Sequence, residues 1–257
     1  MIDLLKFFFA AAALMVGLLL LLYIGLWPHA LYLKNHNPKR TAFMKARGEP
    51  IVQNWAPLKS ISPSLRRAVI ASEDMNFYNH DGFDFAELVL SLKKNIRKLR
   101  LARGGSTITM QLVKNLYLSP EKSLIRKLLE AVITLRLEHT LSKDRIFELY
   151  LNLIEWGDHI YGAEAAAQHY FQKATSDLTA RESAWLAAII PNPRLLPVYP
   201  SYVERRQRWI LRQIGEQPGE IETPPPIQEI PPDVLQELPP EPPPNGEPAP
   251  LPPEQGS

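Results

Sequence analysis

Residues 128–137 read LLEAVITLRL, and that stretch decides the fold class. Apolar residues fall at nearly every position with no alternation of period two. The spacing predicts a helix, apolar on nearly every face and therefore buried. Glu130 lies inside it. A buried carboxylate needs a partner, and Arg126 and Lys127, four and three residues earlier, stand within one helical turn. Two readings are open from the residues alone: a core ion pair, or a cationic pocket in a dry cleft. Outward from this helix the pattern stays helical. Ser62-Pro63 signals a helix start, running to about residue 72. After a polar turn, helices are expected over 85–99, with a basic end, and over 110–118. Ser142 can cap a helix through 152. Thr179 with Glu182 forms a capping box opening a helix that Pro191 and Pro193 stop, and a last amphipathic helix covers 202–214. With no sustained period-two strands and no internal repeat, the class is mainly α.

The two ends differ from this body. Residues 7–26, FFFAAAALMVGLLLLLYIGL, carry no formal charge, and 20 residues at about 1.5 Å each span about 30 Å, the thickness of a bilayer core. A cleaved signal peptide would have a shorter apolar region and a small-x-small site. Trp27, Pro28 and His29 follow instead, so an uncleaved anchor is expected. The last 40 residues hold 15 of the 25 prolines, eight acids and neither Lys nor Arg. Such composition buries too little surface to offset chain entropy and predicts an extended, disordered tail. The net charge of +2 therefore conceals a body of +10, which points to phosphates or an anionic membrane surface and excludes a uniformly near-neutral protein. The absence of cysteine excludes disulfides, thiolate chemistry and Cys-ligated metals. The expected organisation is an anchor over 1–27, a connecting segment over 28–56, one catalytic-size domain over 57–214 and the tail over 215–257. Lys34, Lys39, Arg40, Lys45 and Arg47 follow the span while only Lys6, offset by Asp3, precedes it; by the positive-inside rule this asymmetry, taken alone, weakly favours a cytoplasmic body.

Three further segments carry candidate chemistry. Residues 73–84, EDMNFYNHDGFD, read as a polar loop, as a weak metal site lacking H-x-x-x-H or EF-hand spacing, or as a loop presenting Glu73 as general base at the end of an apolar helix. Residues 103–115, RGGSTITMQLVKN, place glycines and Ser106 before a helix, a setting suited to an anion but without Walker spacing. Residues 143–157, KDRIFELYLNLIEWG, put Glu148 and Asn152 on one helical face.

In this order these segments resemble the peptidoglycan glycosyltransferases of family 51. The pattern E-D-x-x-F-x-x-H-x-G-x-D is met by Glu73, Asp74, Phe77, His80, Gly82 and Asp84. G-G-S-T-I-T-Q-Q-L-x-K-N is met over 104–115, with Met110 in place of the first Gln. R-K-x-x-E falls at Arg126, Lys127 and Glu130, and K-x-x-I-x-E-x-Y-L-N at Lys143, Ile146, Glu148, Tyr150, Leu151 and Asn152. YVERRQRWIL, with Arg206 and Trp209, resembles the closing motif. The resemblance covers residues 57–214 and implies a lysozyme-like, mainly α fold with a head lobe and a smaller membrane-facing jaw. It implies polymerisation of lipid II onto a glycan chain held on undecaprenyl pyrophosphate, by an inverting transfer. Carried over residue by residue, Glu73 is the general base and Glu130 the second carboxylate. Ser106, Thr107 and Gln111 line the donor cleft, and Lys114, Lys122, Arg126 and Lys127 neutralise the pyrophosphate, while His80 is structural. No obligate cofactor is implied, though a divalent cation (Mg or Mn) at the pyrophosphate is compatible. The implied partners are lipid II, the undecaprenyl-pyrophosphate glycan, membrane lipid and penicillin-binding or divisome proteins, with no nucleic acid. No S-x-x-K, S-x-N or K-T-G transpeptidase motif follows residue 214, so the expected form is monofunctional. The resemblance sets a single-pass protein in the cytoplasmic (inner) membrane with its body on the periplasmic face, against the charge asymmetry. Rival functions are a glycan-cleaving lysozyme-like enzyme, such as a lytic transglycosylase or muramidase, and a non-catalytic anchored scaffold.

Overall fold

The computed structural model of the chain describes residues 2–25, 27–86, 88–89, 106–118 and 123–217. Lys122, the Arg103-Gly104-Gly105 turn, most of the helix expected over 85–99 and the tail from Pro218 lie outside the described residues.

Helix α1 (Ile2–Gly25) is followed by α2 (Trp27–Asn35). Residues 5–35 form the one described stretch long and apolar enough to cross a membrane. The segment expected to connect anchor and body is instead structured and packed. Ala30 and Leu33 of α2, Met44 of α3 (Ala42–Arg47) and Ala56 are all buried. Thr41 caps α3, its hydroxyl accepting from the Met44 amide at 3.0 Å.

The body contains two packed groups of helices. In the first, α4 (Pro63–Glu73), α9 (Ala180–Ile189) and α10 (Pro200–Gln213) contact one another. In the second, α5 (Ile108–Tyr117), α6 (Leu124–Thr140) and α7 (Lys143–Leu153) do the same. Five of these six helices start where a side chain satisfies a first-turn amide, and α10 starts instead with Pro200 in its first turn. Ser62 accepts from the Ser64 amide at 3.2 Å with Pro63 at the first helical position, and Ser142 accepts from the Arg145 amide at 3.2 Å. The Thr179–Glu182 capping box is present in both directions. Helix α5 starts at Ile108, two residues before its expected position, because Thr107 caps it.

Short strands complete the body. β1 (Val52–Gln53) pairs in parallel with β3 (Ile160–Tyr161), which pairs antiparallel with β2 (Glu155–Gly157). Helix α8 (Ala163–Phe171) follows, with Ala163, Ala165, Ala166 and Ala167 buried.

One expectation is overturned. Helix α6 is not buried all round: Ile125 is 73% exposed, and Leu128 and Leu135 are exposed too. Ile133 and Leu137 pack inward with Glu130 and Thr134, while residues 125, 128 and 135 fall at i, i+3 and i+10, a single stripe. The cause is position: α6 lies at the edge of its group, with only one face against α5 and α7, and α1 and α2 beside it.

Candidate active site

Glu73 is the last residue of α4, where the first helical group meets the second. Its side chain is 10% exposed. The Ser72 hydroxyl donates to Oε1 at 2.9 Å, and Gln111 Nε2 of α5 donates to Oε2 at 3.2 Å. Arg206 of α10 brings Nη2 to 3.6 Å from Oε1 while donating to Ser72 Oγ at 2.9 Å and, through Nε, to the Ala188 carbonyl at 3.1 Å. Gln111 is itself held: Tyr150 of α7 donates its hydroxyl to Gln111 Oε1 at 2.9 Å. That bond sets the amide so that its nitrogen, not its oxygen, faces the carboxylate. Burial, with the charges of Glu73 and Asp74 adding to it, pushes the Tyr150 phenol well above its ordinary pKa, so it remains a donor.

The neighbouring residue has a different task. Asp74 is buried and accepts from the Ile108 amide at 3.0 Å, tying itself to the first turn of α5. His80 Nδ1 accepts from the Gly82 amide at 3.1 Å, which places its hydrogen on Nε2, 3.0 Å from both Asp74 oxygens. Gly82 has φ +92° and donates no side chain; a Cβ there would stand 2.7 Å from Thr134 Cγ2 of α6. Its carbonyl accepts from Thr107 Oγ1 at 2.7 Å. The polar turn after α4 is thus a bracket joining α4, α5 and α6.

Glu130 is buried on α6 and carries two cations. Arg126 Nη1 is 2.9 Å from Oε2 and Lys127 Nζ is 2.5 Å from Oε1. Lys127 is half exposed at its side chain, whereas Glu130 is 4% exposed. Arg126 Nε is buried and makes no hydrogen bond among the described residues. With both Glu130 oxygens bonded to cations, Glu130 offers no open oxygen to a divalent cation in this arrangement.

The remaining expected site residues divide. Gln111 and Lys114 lie three apart on α5, one turn from each other, and Lys114 is half-buried. Ser106 is exposed just before the helix. Thr107 is 3% exposed and caps α5, its hydroxyl 3.3 Å from the Met110 amide, so its side chain builds the helix start rather than a cleft wall. Met110 is buried, and its replacement of an amide in the family pattern changes packing. Glu148 and Asn152 of α7 form no reaction site: Glu148 accepts from the Leu58 amide at 2.8 Å, and Asn152 exchanges hydrogen bonds with Ala56 at 2.8 and 2.9 Å. Ser72, Tyr150 and Arg206 are the contributors to Glu73 that sequence reasoning did not assign. Tyr150 and Arg206 both fall in quoted motifs, which was the available signal.

A sequence model of the Transglycosylase family matches residues 40–215. Among curated proteins, the chain is 46% identical over 213 residues to a biosynthetic peptidoglycan transglycosylase of Herminiimonas arsenicoxydans, covering 79% of this chain and 90% of that one. It is 48% identical over 188 residues to one of Thiobacillus denitrificans, covering 70% and 81%. It is 44% identical over 218 residues to one of Alcanivorax borkumensis, covering 82% and 88%. The matched span starts at residue 40, ahead of the first motif, and so takes in α3, β1 and the Ala56–Leu58 stretch that the Asn152 and Glu148 hydrogen bonds hold. On this agreement of motifs, helical architecture and identity, the chain belongs to the transglycosylase family.

Proposed function

We propose that this protein polymerises peptidoglycan glycan strands, joining lipid II to a growing chain held on undecaprenyl pyrophosphate. The observation that supports the reading is the presence of both a donor-held carboxylate, Glu73, and a cluster of cations organised on a second carboxylate, Glu130. Glu73 accepts the proton of the acceptor sugar hydroxyl as that oxygen attacks the anomeric carbon of the donor, with inversion. The bond to the lipid pyrophosphate breaks, and Arg126, Lys127, Lys114 and Lys122 neutralise the departing charge. Gln111 fixes the lone pairs of Glu73, and Glu130 fixes the cations; neither needs to exchange a proton. Ser106, exposed just before α5, is the side chain open to the donor, and Thr107 holds the helix start behind it. No step passes through a metal ion.

A glycan-cleaving enzyme of similar fold would use two carboxylates but has no anionic leaving group to neutralise. The Arg126–Lys127–Glu130 cluster therefore favours polymerisation. Lipid substrates also favour a membrane-confined enzyme, since tethering raises effective concentration. The apolar helix α1 supplies a single-pass anchor, and substrate presented on the outer face of the cytoplasmic membrane sets the body on the periplasmic side.

The test is to incubate the full chain with lipid II in detergent and separate the products on a gel, with and without moenomycin. Glycan ladders that moenomycin abolishes are expected, with release of undecaprenyl pyrophosphate. Digestion of preformed peptidoglycan without ladders would transfer the protein to the cleaving class.

A further inference from the structure

Two histidine–tyrosine hydrogen bonds join the apolar arm to the body. Tyr23, in the last turn of α1, brings its hydroxyl to 2.7 Å from His139 Nδ1, in the last turn of α6. The Arg136 guanidinium, one turn earlier on α6, lies 4.5 Å from the centre of the Tyr23 ring. His29, in the first turn of α2, brings Nδ1 to 2.7 Å from the hydroxyl of Tyr117, the last residue of α5. These contacts fall on either side of position 26, between α1 and α2, and they use helices from the same group.

The end of α2 is fastened separately. Arg145 of α7 donates Nε to the Leu33 carbonyl at 2.9 Å and Nη2 to the His36 carbonyl and Asn37 Oδ1, each at 2.8 Å. It thereby satisfies acceptors that a helix end otherwise leaves open. Ala30 and Leu33 are buried beneath. Helix α2 is therefore part of the body, and the direction of α1 depends on what holds its last turn.

The helices gripped are those carrying the candidate pyrophosphate cations. Tyr117 is three residues, one turn, beyond Lys114 on α5, and His139 shares α6 with Arg126, Lys127 and Glu130. A rotation of α1 about its end would leave the helix packing of the body intact but would change the height and tilt of that cationic surface above the bilayer. Tyrosine and histidine suit this place because their rings tolerate apolar surroundings while their polar atoms bond, and such bonds strengthen at low local dielectric.

We propose that Tyr23 and His29, through His139 and Tyr117, are positioning residues that fix the angle of the anchor so that the cation cluster meets a polyprenyl pyrophosphate lying in the membrane. The proposal rests on the polymerase reading for its substrate, but its geometric half does not. The chain has no cysteine, so Leu18→Cys and Ser176→Cys, both at exposed positions, give a unique spin-label pair in the full chain in phosphatidylglycerol–phosphatidylethanolamine vesicles. A single narrow distance distribution is expected, broadening in Tyr23→Phe/Tyr117→Phe. In parallel, unlabelled protein in the same vesicles is assayed on native lipid II in the bilayer and on a water-soluble short-prenyl analogue. The double variant should lose about fivefold or more on the bilayer substrate, the scale expected for two lost hydrogen bonds, and stay within twofold on the soluble one. An exchange, Tyr23→His with His139→Tyr, should restore part of the loss. Equal losses on both substrates would make the bonds merely structural and overturn the proposal, as would an unchanged rate on the bilayer substrate or an unchanged distance distribution. Wild-type protein active on neither substrate would instead sink the polymerase reading, with the distance measurement still deciding the geometric claim.

Discussion

Glu73 and Glu130 are both acids at helical positions with little exposure, 10% and 4% at the side chain, yet their surroundings differ in kind. Glu73 is held by a hydroxyl, an amide and a guanidinium nitrogen 3.6 Å away. Glu130 is clasped by a guanidinium at 2.9 Å and an ammonium at 2.5 Å. Both hydrogen bonds to the Glu73 oxygens come from neutral donors, whereas both to the Glu130 oxygens come from cations. Burial alone therefore does not separate the two carboxylates. The partners do.

The largest effect that would break this contrast is at Glu73. Glu73→Gln keeps the shape of the side chain and removes the proton acceptor, so polymerisation should fall by about 10²–10⁴-fold with an unchanged thermal midpoint. Near-normal polymerisation would move the base elsewhere. Glu130→Gln should cost less, about 10–100-fold, because Arg126 and Lys127 remain but lose the charge that orders them. The fall should be read mainly in the rate of pyrophosphate release, and an effect as large as that at Glu73 would erase the division of roles. Gly82→Ala, which forces a Cβ against Thr134 at positive φ, should lower stability by about 1–3 kcal/mol, measured by urea unfolding. Since Gly82 braces both α5 and α6, the loss should appear as a lower denaturation midpoint rather than a selective kinetic defect. The smallest change is Tyr150→Phe. It frees the Gln111 amide to turn and should lower kcat by only a few-fold, about one hydrogen bond's worth, with KM for lipid II little altered.

The parts of this arrangement that were readable in advance are the local ones. Caps at Ser62, Ser142 and Thr179 declare themselves within four residues, and the Arg126–Lys127–Glu130 cluster follows from one helical turn. The holders of Glu73 do not, because Gln111, Tyr150 and Arg206 reach it or its neighbours across 38, 39 and 134 residues, and no periodicity reports such a distance. The apolar stretch over 128–137 misled for a related reason. Its composition shows how greasy the helix is, but not that one side faces open surroundings beside α1. The segment over 28–56 was expected only to connect anchor and body, and its contribution to the core rests on single residues such as Leu33 and Met44.

The bond from the Ile108 amide to Asp74 has a dynamic consequence. It grips α5 one peptide unit away from Glu73, while Gln111 of that same helix grips the Glu73 carboxylate. A sliding of α5 along its axis therefore drags the acid and its amide in the same sense. Their separation should fluctuate less than the placement of either relative to the rest of the molecule, so the carboxylate and its holder move as a common block, and thermal motion falls between this block and its surroundings rather than within it.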